Sequence, residues 1–136
     1  MKDSTMSDLQ FEISQRPDFA ILNVYLEEGQ RIFAEPSAMA SIDPTITLKA
    51  GFKGGLRKTI GKALGGESMI INTYTADKGP GEVVFAPGAP GDSLHYELDR
   101  STLFLQRGAF MCHTDGVEVT GKWQGAKGFF SGKGLV

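Results

Sequence analysis

The chain has 136 residues, 22% of them charged and 40% apolar, with a formal net charge of -2. That balance suits one soluble domain and gives the molecule no strong pull towards nucleic acid or anionic membrane. No run of 18 apolar residues is present for a spanning helix, and the polar start Met1–Asp8 lacks the apolar core of a signal peptide.

In chain order, residues 1–8 read as a flexible leader. Leu9–Ile13 alternates as a strand, and Arg16-Pro17-Asp18 is a turn. Phe19–Leu26 is a second strand with Ala20, Leu22, Val24 and Leu26 on one face. Glu27-Glu28-Gly29-Gln30 turns the chain into Arg31–Glu35, and Ala38–Ile42 and Thr45–Ala50 follow, punctuated by Pro36 and Pro44. From Gly54 the spacing changes. Leu56, Ile60, Ala63 and Leu64 fit a short helix over 54–64, closed by Gly65. Strands resume at Ser68–Ala76, Glu82–Ala86, Asp92–Leu98, Thr102–Gln106, Ala109–His113 and Val117–Gly121. In Asp92–Leu98 the alternation points Leu94, Tyr96 and Leu98 inward. Short strands separated by Gly and Pro turns predict an all-β sandwich or barrel with one inserted helix.

The chain also repeats itself. Moved forward by 71 residues, Ile32-Phe33 falls on Leu103-Phe104, Ala38 on Ala109, Leu48 on Val119 and Phe52 on Trp123, without a gap. Further back the offset is 72, with Phe11 and Ile13 on Val83 and Phe85. After a five-residue deletion, Gly65–Ile70 meets Ser131–Val136. An internal period fixes architecture before any single residue does. The expected organisation is a leader (1–8), a first β unit (9–78) and a second (79–136) whose last strand is cut short. An unfinished strand leaves an open sheet edge, and such an edge recruits another chain, so a homo-oligomer is expected.

Chemistry is sparse. Lys53, Arg57, Lys58 and Lys62 gather on and beside the expected helix, opposite its apolar stripe. With the flanking glycines they form a candidate anion- or partner-binding element, or a solvated basic face. The spacing is not that of a Walker phosphate loop. Glu67 could bind a cation or a partner amide, or satisfy a turn. His95 and His113 are the only histidines and have no His or Cys at ligand spacing, so no metal or other cofactor is expected. Cys112 and His113 are neighbours on one strand and point to opposite faces, which defeats a thiolate–imidazole pair. Trp123, Phe129 and Phe130 suit core or subunit contact better than base stacking. The lone Cys112 permits no internal disulfide and fits a reducing cytoplasm. No catalytic constellation stands out, which favours a non-enzymatic scaffold or binding protein; the alternative is an anion, nucleic-acid or membrane-surface binder using 53–62.

The ordered motifs Ile32–Met39, Gly54-Gly55-Leu56, Gly65-Gly66-Glu67-Ser68, Pro80-Gly81-Glu82-Val83 and Gly125–Phe130 carry a resemblance. With them the chain resembles the altered-inheritance-of-mitochondria family, member twenty-four, also called domain of unknown function 124. The resemblance covers nearly everything after residue 9. It implies a β-rich fold similar to the tryptophan RNA-binding attenuator protein, with β units packed about a pseudo-symmetry axis, and no established catalytic residues. Family members usually continue past the point matching Val136.

Overall fold

The computed structural model describes residues 9–51, 70–106, 108–124 and 127–132. The expected helix over 54–64 lies outside them, as do Lys53, Arg57, Lys58, Lys62 and Glu67. The described chain is built from antiparallel strands, apart from one turn of 3₁₀ helix at Pro36–Ala38. The strands are β1 (Gln10–Ser14), β2 (Ile21–Leu26), β3 (Arg31–Ala34), β4 (Met39–Ile42), β5 (Thr47–Lys49) and β6 (Asn72–Thr75). They continue as β7 (Gly81–Phe85), β8 (Leu103–Gln106), β9 (Cys112–His113), β10 (Thr120–Gln124) and β11 (Lys127–Gly132).

Three sheets result, in the orders β1-β2-β7-β4, β5-β6-β3-β9 and β10-β11-β8. The main core fills the space between the first two. Leu22, Val24, Leu26, Val83 and Phe85 face Ile32, Ala34, Tyr74 and Ala76. The alternation of β2 explains its half: Leu22, Val24 and Leu26 are buried while Tyr25 is exposed. Central β3 does not alternate. Ile32, Phe33 and Ala34 are all buried, because Phe33 joins a second cluster with Ile71, Phe110, Val117 and Val119 on the other face. A strand covered on both sides is apolar on both sides.

The sheets β5-β6-β3-β9 and β10-β11-β8 follow one plan. Thr73 of β6 lies between Phe33 and Lys49, and Ser131 of β11 lies between Phe104 and Thr120. Both flanking positions differ by the same 71 residues that the sequence repeat shows. The third strand does not follow the expected alignment. Its counterpart in the later unit is Lys127–Gly132 rather than a segment beyond Ser131, so the gap between the copies is larger than five residues. This hairpin is glycine-rich and carries too little alternation to be read as a strand. Phe33 and Phe104 share a register but not an environment. Phe33 is covered by the His113 ring of β9, its centroid 4.9 Å away, while Phe104 is 55% exposed.

The expected strand Asp92–Leu98 is also corrected. Apart from isolated bridges, the segment forms no ladder, and Leu94 is 78% exposed rather than inward. The repeat supplies a reason. Val83 and Phe85 of β7 correspond to Phe11 and Ile13 of β1. Strand β2 pairs with both: Val24 lies opposite Phe11 on one side and Val83 on the other. Residues 93–98 would pair with β7 as β2 pairs with β1, but both edges of β7 are already taken, by β2 and β4. Alternation chooses a face; it does not supply a free edge.

Tyr74 packs edge-on against Phe85 at 5.4 Å, and its buried hydroxyl lies beside the Asn72 side chain, but among the described residues neither it nor Asn72 Oδ1 makes a hydrogen bond of good geometry. Burial raises the phenol pKa, opposed by the Asn72 side chain and aided by the Glu35 charge. An unpaired buried hydroxyl costs free energy that phenylalanine would not incur. Tyr74→Phe is therefore expected to leave stability unchanged or raise it by about 1 kcal/mol. A fall in the urea midpoint would contradict this.

Candidate functional site

A cavity of about 600 Å³ opens beside β1. Its floor is the paired β1–β2 face. Phe11 sits opposite Val24 and Ile13 opposite Leu22, so four apolar side chains form one patch. The period of two along each strand and the antiparallel register place them together. Ile32 of β3 closes the inner end. Residues 87–97 cross over the top, and Leu103, Leu105 and the segment 108–114 form the far wall.

The cavity runs from core to surface. Val24 and Ile32 are 1% and 3% exposed, whereas Phe11, Tyr96 and Leu94 around the mouth are 39%, 43% and 78% exposed. The covering segment is pinned at its start. The Arg16 guanidinium donates to both carboxylate oxygens of Asp92, at 2.9 and 3.1 Å, and to the Ser93 carbonyl. This pairing holds the Asp92 carboxyl below its ordinary pKa and raises that of Arg16. The backbone of Ala20 donates to Gly91 O, and Gly91 donates to Asp18 O, fixing the other side of the turn.

Both histidines line this cavity, in different settings. His95 is at the mouth with its ring 4.9 Å from Phe11. His113 is 1% exposed and stacks on Phe33, with Nδ1 2.7 Å from the Thr114 carbonyl. Cys112 of β9 pairs with Ala34 of β3, and burial pushes its thiol up to about 12. At neutral pH it is a protonated thiol in apolar surroundings, the opposite of an activated nucleophile. Of the aromatics noted near the end of the chain, Trp123 lies on β10 opposite Gly128, and Phe129 and Phe130 lie on β11 opposite Gln106 and Leu105.

Sequence reading missed the cavity. Its walls come from residues 9–24, 32–35, 87–97 and 103–114, segments that no local pattern links. The one available signal is the apolar pair Leu94 and Tyr96 just after Pro90-Gly91, where the alternation predicts a core strand instead.

The order of the motifs and the arrangement of the strands agree with what is found among other proteins. The model of the family described as Mitochondrial biogenesis AIM24 matches residues 11–136. The chain belongs to this family. An uncharacterised protein of Streptococcus pyogenes serotype M6 is 29% identical over 143 aligned positions, covering 98% of this chain and 57% of the relative. A crystal structure of a Streptococcus pyogenes protein superimposes with a TM-score of 0.74 at 25% identity, over 93% of this chain and 61% of that one. This AIM24-family chain thus spans about three fifths of the length of the relatives it matches. Among its described residues, no helix is long and apolar enough to cross a membrane.

Proposed function

We propose that this chain is a non-catalytic β scaffold that holds a ligand in the cavity beside β1 and associates with copies of itself through a sheet edge. The observation that carries the reading is the position of β1. Its repeat counterpart β7 is held on both sides, by β2 and β4, whereas β1 ends its sheet with β2 as its single strand partner among the described residues. An antiparallel edge with unpaired amides and carbonyls is a template for a further strand, and a second copy offers the same edge in return.

The non-catalytic half is supported by the chemistry of the best nucleophile candidate. Cys112 is held as a thiol, and its neighbour His113 projects from the other face of β9 with one ring nitrogen against Thr114 O. Light scattering tests self-association. The expected mass exceeds the 14.6 kDa of one chain at high concentration. Proline placed singly at Gln10 and at Phe11 removes an inward N–H in one case and an outward one in the other. One of the two variants is expected to become monomeric with an unchanged far-ultraviolet spectrum. A monomer at every concentration of the unmodified protein would refute the association.

A further inference from the structure

We infer that the cavity beside β1 is shared between two copies of this chain: pairing of their β1 edges brings Phe11 of the partner subunit into the wall of each cavity, so that an apolar ligand and the partner are bound together. This rests on both halves of the reading above and adds the link between them.

The sheet sets the geometry. Side chains alternate between the two faces of β1. Phe11 and Ile13 line the cavity, while Gln10 and Glu12 stand exposed on the opposite face. Two identical edges pair antiparallel about a two-fold axis normal to the sheet. That rotation reverses the strand but leaves each face where it was. The cavity face of one copy therefore runs on into the cavity face of the other.

Charge and coverage set the register. A pair centred on Glu12 opposes two carboxylates, which is unfavourable. A pair centred on Ile13 carries the partner past the end of β1 at Ser14 and leaves Phe11 uncovered. A pair centred on Phe11 places each Gln10 beside the partner's Glu12, an amide donor against a carboxylate acceptor, and does so twice. It also sets Phe11 directly opposite the partner's Phe11, with Cβ atoms roughly 4.5–5.5 Å apart.

The same contact reaches the ligand. The Phe11 ring lies over the β1–β2 floor, 4.9 Å from the ring of His95 in the segment that crosses the cavity. Phe11, Tyr96 and Leu94 are 39%, 43% and 78% exposed around the mouth, and the partner's Phe11 adds apolar wall there. A ligand that touches both Phe11 rings gains by leaving water for them and binds the pair better than the single chain. By reciprocity it also strengthens the pair.

The test uses the whole chain and the uncharged fluorophore N-phenylnaphthylamine, with mass followed by sedimentation. Saturating probe is expected to tighten self-association at least about fivefold, and paired protein to bind the probe at least about fivefold more tightly than unpaired protein. Gln10→Lys places an ammonium beside the partner's Glu12, and Gln10→Glu places a carboxylate there. The first is expected to strengthen pairing and the second to weaken it, with probe affinity following in each case. Both changes lie on the face away from the cavity, so a cavity complete within one chain would bind the probe unchanged. Probe bound equally by paired and unpaired protein would overturn the shared cavity and leave ligand binding and self-association standing. Pairing that responds alike to Gln10→Lys and Gln10→Glu would overturn the Phe11-centred contact. Protein that stays monomeric with and without probe would refute self-association, and the absence of saturable binding to either form would refute the ligand-binding half; each removes the shared cavity with it.

Discussion

Replacing Phe85 by alanine is expected to destabilise the protein by about 3–5 kcal/mol. Phe85 is fully buried, meets Tyr74 edge-on, and stands in β7 between Leu22 of β2 and Met39 of β4. Its removal loses the transfer free energy of a ring and leaves a hole that Leu22, Met39 and Tyr74 cannot close, because their backbones are tied by ladder hydrogen bonds. The loss is a large share of the roughly 5–15 kcal/mol that holds a domain of this size together. Leu94→Ala serves as the contrast. Leu94 is the more apolar-looking position of its segment in sequence but is 78% exposed, so its truncation should change stability by less than about 0.5 kcal/mol. Urea unfolding of the two variants side by side checks the ranking, and equal losses would mean that 92–98 is core after all.

The second large effect is expected in alkali. Burial holds the Cys112 thiol up to about 12, whereas in the unfolded chain it ionises near 8.5. The folded state thus keeps a proton that the unfolded state gives up. Its stabilising effect is complete below about pH 8.5 and is lost as the pH rises towards the folded value, at roughly 1.4 kcal/mol per pH unit and on the order of 5 kcal/mol in all. Tyr74, whose phenol is raised by burial, acts in the same direction at higher pH. Urea midpoints between pH 7 and pH 11 should fall steeply for the natural sequence and much less for Cys112→Ala. Parallel curves for the two proteins would show that Cys112 ionises freely in the folded state.

Local pattern revealed the strands that have one wet face and one dry face. In β2 the apolar positions at every second residue are the buried ones, and β7 is found within a residue of where its alternation ends. The repeat also survives in the ladders, since Phe33 and Phe104 both sit opposite the third strand of their sheets. Three features escaped. Residues 92–98 alternate as well as β2 does, but strand formation needs an edge to pair with, and β7 has none left. The hairpin β10–β11 was only partly visible, because its second strand is rich in glycine and little alternation marks it. The cavity depends on register and on the path of 87–97 over β1, which are tertiary properties. The basic group Lys53, Arg57, Lys58 and Lys62, and Glu67 with it, fall outside the described residues.

The way β7 is inserted between β2 and β4 has a consequence for synthesis. Leu22 must wait for Phe85, and Phe33 must wait for His113, before their sheets are complete. When residues 9–50 emerge from a ribosome, β2 therefore has β1 beside it but not β7, and β3 has neither of its flanking strands. Such distant pairings make for slow acquisition of structure. The nascent chain must keep the apolar faces of β2 and β3 from sticking elsewhere until β7 and β9 have been made, which is a period of exposure that chaperones exist to cover.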